Sequence, residues 1–501
     1  MMEDLNFDVI VVGSGVGGAT FTDYLTRKSP YLKIAMLESG PYRTKKHFNQ
    51  REIDMTALYF NRGAVLTKNL QLGVAAGNTL GGSSAMYTGV SFRPPKNVLA
   101  NWRENYGLTF LTDEYVSSAL DEIEKDISVH ELPESWDNQN NQLFKKGAAK
   151  LGIPIKRLKI NTKNCKQQGF CNLGCTTGAK QGALEVQIPR IIKRGVKLFC
   201  NTKVVSVEEN KVNVIINDAP DGTVSNEIDS GVYQFKAKKI ILAAGVLNTP
   251  AILLRSAKYL GLKNKNIGRY LTLHPAFNIN GIHPEIVSNY RGFPKTVYTD
   301  YFSETENFYL ETSFYFPGVT AKNNIGYGES HLEIMKNYDK MMSILILAHD
   351  KAEYHNRITI DKKGNTIVDY TISKQSKKAL VKALKEATKI FFAAGCDKVL
   401  LPASNKNPLL KDDIDKLDTF ISKKHLNLYK TPLSSAHPQG GSRMGTNSTI
   451  AVCDINGKVY GTNSIYVCDA SLFPTSVQVN PYETIMLLSK WVAESIEIQP
   501  N

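Results

Sequence analysis

The sequence has no run of about 18 apolar residues, the length a membrane-spanning helix needs, so no such span is expected. It is also poor in cysteine for a secreted disulfide framework, with seven in 501 residues. Acidic residues are the scarcer charged class, 47 against 61 basic ones, for a formal charge of +14. A nucleic-acid partner would need that charge gathered into a block with aromatic residues between. The lysines lie scattered instead, at 236–239, 377–389 and 423–424, so a solvated surface is expected and nucleic acid is not. The first apolar stretch begins at residue 7. That leads to the expectation of no signal peptide and a cytoplasmic protein, peripheral to a membrane only through a partner. No internal repeat is visible. What remains is an ordinary globular composition, 42% hydrophobic and 22% charged, in a chain long enough for two well-cored domains.

The most informative stretch is residues 7–40. Residues 7–12 form a short β-branched run suited to a buried parallel strand. Gly13, Gly15 and Gly18 follow at G-x-G-x-x-G spacing and open a helix ending near residues 29–30. Residues 33–37 make a second apolar strand, and Glu38 ends it, 20 residues beyond Gly18. In such a unit the first glycine permits the tight turn, the second admits a pyrophosphate and the third lets helix pack on strand. The helix N-terminus supplies free N–H groups and Glu38 can hold two ribose hydroxyls. An acid there repels a ribose phosphate, which points to FAD or NAD and away from NADP.

Residues 77–95, G-N-T-L-G-G-S-S-A-M-Y-T-G-V-S-F-R-P-P, form a loop whose bare backbone can press on a ligand. Residues 101–150 read as helices, one capped by Thr112 or Asp113 with Tyr115, Ala119, Leu120 and Ile123 on one face. Residues 195–207 alternate as a strand, and 233–235 pair with 212–216 as a meander. Residues 239–245 form another buried strand before a helix at Pro250. From about 276 to 431 the texture changes to alternating stretches (310–316, 342–348, 366–372) and a long amphipathic helix at 374–395, a sheet-plus-helix domain. The segment 435–445, S-A-H-P-Q-G-G-S-R-M-G, precedes a strand at 464–469 and an amphipathic helix to Ile496.

This order of motifs resembles the glucose–methanol–choline (GMC) oxidoreductase family, flavoproteins that mostly oxidise alcohols. The resemblance runs from end to end: the N-terminal nucleotide unit, G-N-T-L-G-G-S-S, A-A-G-V-L-N-T-P-A-I-L-L, H-P-Q-G-G-S-R-M-G and D-A-S-L-F-P-T…N-P. It implies a discontinuous α/β, Rossmann-like FAD domain from residues 1–95, 160–275 and 432–501. It also implies an α+β substrate domain with an antiparallel sheet at 276–431 and a helical insertion, 96–159, over the flavin. Carried over, Gly13, Gly15, Gly18 and Glu38 hold the ADP half, and Val204 faces the adenine through its backbone. Gly81, Gly82 and Ser83 lie along the pyrophosphate and flavin. Asp469 and Ala470 bind near the pyrophosphate and ribityl chain, with Asn480 and Pro481 near the isoalloxazine. Met86 and Tyr87 replace the asparagine usual after G-G-S-S. Met86 cannot form the flavin link that a histidine makes there in some relatives, so non-covalent FAD is expected.

His437 matches the family's active-site histidine, and Asn480 its partner. Alcohol oxidation needs a base for the hydroxyl proton, and a histidine, titrating near neutrality, suits that task. The other histidines, His274 and His349 among them, are expected to be structural. The resemblance leads to the expectation of a sugar, polyol, sterol or long-chain alcohol as substrate, with oxygen, a quinone or an acceptor protein taking the electrons. Two other readings stay open: a non-redox lyase of the same fold, and a non-catalytic flavin-holding subunit of a larger complex. Cys165, Cys171 and Cys175, spaced C-x5-C-x3-C among glycines, fit three ligands of an iron–sulfur cluster better than a closed zinc site. Structural thiols or a disulfide stay open beside that reading.

Overall fold

A computed structural model describes residues 5–324, 326–401, 404, 406–426 and 431–499. The apolar run at the start forms β1, Asn6–Val12, with six of its seven residues buried. The glycine turn leads into α1, Val16–Lys28, and the second apolar run forms β2, Ile34–Leu37. The expected single strand at 195–207 is broken into β3, Lys197–Phe199, and β4, Thr202–Glu208. Asn201 lies between them with φ +53°, a left-handed turn that asparagine tolerates and that lets the two halves take different partners. β3 runs parallel to β2, whereas β4 opens an antiparallel meander with β5, Lys211–Ile216. The stretches 233–235 and 239–242 belong to one strand, β6, Gly231–Leu242. β6 pairs antiparallel with β5 over its first half and parallel with β1 from Lys236 to Leu242, while Ile465–Val467 joins it from the C-terminal region. The sheet order is β3–β2–β1–β6–β5–β4. Parallel strands buried on both faces by helices explain why these stretches read as continuous apolar runs.

The second sheet has nine strands and is antiparallel at its centre. There β7, Ala276–Ile282, lies beside β10, Met341–Ala348, then β9, Phe308–Thr312, and β8, Val297–Thr299. The strand expected at 310–316 stops at Thr312, and the next residues leave the ladder: Asn140 Nδ2 donates to the Ser313 carbonyl at 3.2 Å. The sheet also takes in Lys156–Arg157, Leu72–Val74 and Leu433–Ser435, all from outside 276–431. One face is apolar: Phe277 and Ile279 of β7, Ile344 and Ile346 of β10 and Leu310 of β9 are 0–2% exposed. It packs under α2, Lys374–Ala394, so closely that a Cβ on Gly281 would lie 2.5 Å from the Phe391 ring. Ser373 caps α2 through its side chain and Gly395 ends it in a left-handed turn.

The helices of 96–159 brace the molecule. Asp113–Asp126, capped by Thr112 as expected, packs on the C-terminal helix α3, Tyr482–Ser495, and Gln139–Lys150 packs on α2. Among the described residues no helix is long and apolar enough to cross a membrane.

Candidate active site

Chemistry collects where β1 and β6 end. Gly13 has φ +105°, and a Cβ there would lie 2.3 Å from the Ala243 carbonyl oxygen, so only glycine fits the turn that joins the two strand ends. α1 begins at Gly15 with no side-chain cap and no acidic residue in its first turn. Its first N–H groups are therefore left for an anion. The second glycine loop meets the first at this point: Gly82, φ +55°, leaves 2.8 Å between a built Cβ and the Gly15 Cα. Gly81 and Ser83 flank it, and Ser83 Oγ accepts from Gly77 N at 2.9 Å.

Glu38 is buried, with both carboxylate oxygens engaged. Oε2 accepts from Ser14 N (3.0 Å) and Oγ (2.6 Å), and Oε1 accepts from Gly40 N (2.7 Å). Burial pushes its pKa up and these donors oppose that. Ser14 Oγ also accepts from Gly81 N at 3.0 Å, so one buried hydroxyl ties the acid to both glycine loops. Sequence reading missed Ser14, a variable position inside the motif. Asp469 is spent within the protein: it accepts from Gly245 N (2.9 Å), Thr249 Oγ1 (2.6 Å) and Ser471 N (2.8 Å). It holds the end of β6 to the loop carrying Ala470. Val204 lies buried in β4 at an irregularity of the ladder.

His437 stands opposite a second group of residues. Its Nδ1 lies 3.2 Å from His274 Nδ1, which leaves Nε2 as the atom open to a ligand. His274 Nε2 is in turn 2.9 Å from Ser476 Oγ and 3.1 Å from Gln439 Nε2. His349 stacks edge-on against His274 at 5.7 Å. Of the histidines expected to be structural, His274 thus meets His437 directly and His349 packs behind His274. Burial, the nearby Lys295 ammonium and His349 lower the His437 pKa to about 3, and burial lowers that of His349 to about 4. His274 is also held well below its usual value by burial and by the other two rings. All three rings are neutral at pH 7. Asn480, just before Pro481 and α3, accepts from the Tyr309 hydroxyl at 2.7 Å through Oδ1, so its Oδ1 is engaged while among the described residues its amide N–H groups have no partner.

The thiols behave differently from the expectation. Among the described residues no group of three His, Cys, Asp or Glu is placed to hold a metal ion, so the iron–sulfur assignment of Cys165, Cys171 and Cys175 is corrected. Cys165 and Cys171 pack on a small apolar cluster of Leu132, Ile160 and Phe293, and burial pushes the Cys171 thiol up to about 12. Cys175 Sγ has Thr177 Oγ1 at 3.4 Å. The buried Lys180 secures this loop, donating to the carbonyls of Cys171 (3.0 Å), Ala85 (2.8 Å) and Tyr87 (3.0 Å). Spacing alone could not separate packing thiols from ligands.

Two models of the GMC oxidoreductase match, the N-terminal one over residues 55–276 and the C-terminal one over 352–489. The chain belongs to the GMC oxidoreductase family. A long-chain-alcohol oxidase of Arabidopsis thaliana is 27% identical over 96% of this chain and 66% of the relative. A second from that plant is 28% identical over 96% and 67%. An uncharacterised GMC-type oxidoreductase of Mycobacterium tuberculosis is 27% identical over 97% and 75%. The chain thus spans about two thirds of the length of the plant relatives. Among solved structures, pyridoxine 4-oxidase from Mesorbium loti superposes with a TM-score of 0.72 at 16% identity, covering 97% of this chain and 98% of that one. Formate oxidase of Aspergillus oryzae gives 0.72 at 15%, covering 99% and 98%. These likenesses carry the fold, that of the FAD-binding GMC oxidoreductases. The uncapped start of α1, the facing glycine loops and the buried Glu38 fit FAD.

Proposed function

We propose that this chain oxidises the CH–OH group of a small-molecule alcohol, with His437 as base, Asn480 as orienting group and FAD bound without a covalent link. In this reading FAD lies across residues 1–95, 160–275 and 432–501. Gly13, Gly15, Gly18 and Glu38 hold its ADP half, Val204 faces its adenine through the backbone, and Gly81, Gly82 and Ser83 lie along its pyrophosphate and flavin. Asp469 and Ala470 bind near the pyrophosphate and ribityl chain, with Asn480 and Pro481 near the isoalloxazine ring. When bound, FAD supplies a two-electron acceptor for the carbinol hydride.

The observation that carries the reading is a neutral His437 whose Nδ1 is engaged and whose Nε2 has no partner among the described residues. The two facing Nδ1 atoms share one proton. With that proton on His437, Nε2 has a lone pair that can take the substrate's hydroxyl proton, and Ser476 Oγ accepts from His274 Nε2. With it on His274, Gln439 Nε2 donates to His274 Nε2 and His437 points an N–H at the substrate. The amide of Asn480 donates to the substrate oxygen and fixes its angle. The test is anaerobic bleaching of the flavin across a panel of alcohols, followed by acid precipitation. Bleaching by an alcohol and yellow colour in the supernatant are expected; flavin retained in the pellet would sink the non-covalent part, and no bleaching by any alcohol the oxidation itself.

A further inference from the structure

The central sheet turns its second face toward His437 and Asn480, and that face is not uniformly apolar. Strand register places Ala276, Leu347 and Tyr309 side by side in one row, and Asn278, Leu345, Glu311 and Tyr298 in the next. Residues directly across a ladder share a face. Tyr309 marks which face this is, since its hydroxyl reaches Asn480. Ala276, Tyr309, Leu345 and Leu347 form a buried cluster separate from the main core, as they would if they bordered the reaction space. One row further on lies charge. Glu311 is 0% exposed and its Oε2 accepts from Lys295 Nζ at 2.6 Å, the Lys295 side chain being 9% exposed. Lys295 lies near enough to His437 to act on it electrostatically.

Three hydrogen-bonding capacities are left over there. Among the described residues Glu311 Oε1 is buried without a partner. So is Asn278 Oδ1, because the Asn278 amide is turned by its N–H donation to Asn280 Oδ1 at 3.2 Å. Among the described residues the Lys295 ammonium, with three N–H groups, bonds only to Glu311.

We propose that the alcohol oxidised at His437 is a neutral polyhydroxylated one, a sugar or polyol, with hydroxyls beyond the reacting carbon bound by Glu311, Asn278 and Lys295. The proposal rests on the reading of the site as an alcohol-oxidising one and names its substrate class. A hydroxyl both donates and accepts, so neighbouring hydroxyls give protons to Glu311 Oε1 and Asn278 Oδ1 and take one from Lys295. An alkyl chain in the same place leaves every one of these groups buried and unmatched. An ammonium-bearing alcohol meets the Lys295 charge. The substrate class therefore departs from the one in the names of the long-chain-alcohol oxidases above.

The holoenzyme is tested with sorbitol and glucose against 1-dodecanol, by anaerobic flavin bleaching and by thermal shift. At least one of the two polyhydroxylated probes should reduce the flavin with a rate constant over Kd at least about tenfold above that of 1-dodecanol. Glu311→Gln should raise the Kd for that probe roughly 10- to 100-fold, the worth of a hydrogen bond to a charged group. The double variant Lys295→Met with Glu311→Leu replaces the ion pair by apolar groups of similar size, which folds tend to accept. It should reverse the preference toward 1-dodecanol. A wild type that prefers 1-dodecanol, or a folded double variant with an unchanged ratio, overturns the substrate class and leaves alcohol oxidation standing. If no alcohol bleaches the flavin, the oxidation reading falls. The polar subsite then stands only if sorbitol or glucose raises the melting temperature of the wild type and not of the double variant.

Discussion

The first sheet carries its chemistry at an edge and the second carries it on a face. In the first, both faces are covered by packing, and the functional groups are backbone N–H groups and glycine turns where β1 and β6 end. In the second, α2 covers one face with Phe391 and its neighbours, while the other carries Tyr309, Glu311 and Asn278, with the Tyr309 hydroxyl on Asn480. An edge site binds through main chain, which changes little with sequence. A face site binds through side chains, one per strand, and each can be exchanged without disturbing the ladder. In the proposed reading, that arrangement separates a constant cofactor from a variable substrate.

The largest effect in this comparison belongs where the two sheets meet. His437→Ala should slow flavin reduction by about two to four orders of magnitude while FAD stays bound, measured by stopped-flow bleaching. A normal rate in that variant would show that the base lies elsewhere. On the covered face, Phe391→Ala should cost roughly 3–5 kcal/mol of stability in urea unfolding, because it opens a cavity over Gly281. If Phe391→Ala instead slowed flavin reduction as much as His437→Ala does, the two faces would not be functionally distinct. At the edge, Glu38→Ala should lower FAD affinity about 10- to 100-fold, read as cofactor content after dialysis. Full occupancy in dilute protein would remove Glu38 from the cofactor site.

The three histidines allow a finer test through pH. Each has a folded pKa below its unfolded value, so the unfolded chain binds the extra proton first. Their neutral burial therefore costs nothing above about pH 6.5 and destabilises increasingly below it. Each ring contributes roughly 1.4 kcal/mol per pH unit until its folded pKa is reached, near 4 for His349 and 3 for His437. Urea midpoints should fall between pH 6.5 and 4.5, and His349→Gln should flatten the slope by one ring's share. The smallest effect is at Tyr309. Tyr309→Phe removes the bond to Asn480 and should cost about 1 kcal/mol of stability and slow reduction a few-fold, with the Asn480 amide free to turn.

Edge and face also differ in how they are written. Gly13, Gly15, Gly18 and Glu38 fall within one short segment because a strand, a turn and a helix start are contiguous in any chain. The family and the FAD fold were legible from such contiguous motifs. Lys295, Tyr309, Glu311 and Asn278 come from separate strands and loops and meet only after register is set, so no local pattern announces them. His274 and His349 were read as structural because a lone histidine in a strand or loop carries no sign of its neighbours. The cysteine cluster failed the other way: three close thiols gave a motif-like spacing, yet the loop turns two of them onto Phe293 and its neighbours.

The order of strands in the first sheet sets a schedule for the growing chain. β1 is made at the outset, its central partner β6 ends at Leu242, and the strand that completes β6 is Ile465–Val467. At about 5–20 residues per second, β1 waits roughly ten to forty seconds for β6, with an apolar edge uncovered. The core of the second sheet, β7 to β10, lies within 276–348 and can close on itself before Ile465–Val467 is made. Synthesis therefore passes through a stage in which both sheets are largely made and only the Ile240–Leu242 edge of the first still waits for Ile465–Val467, the stage at which an uncovered strand edge most invites mispairing.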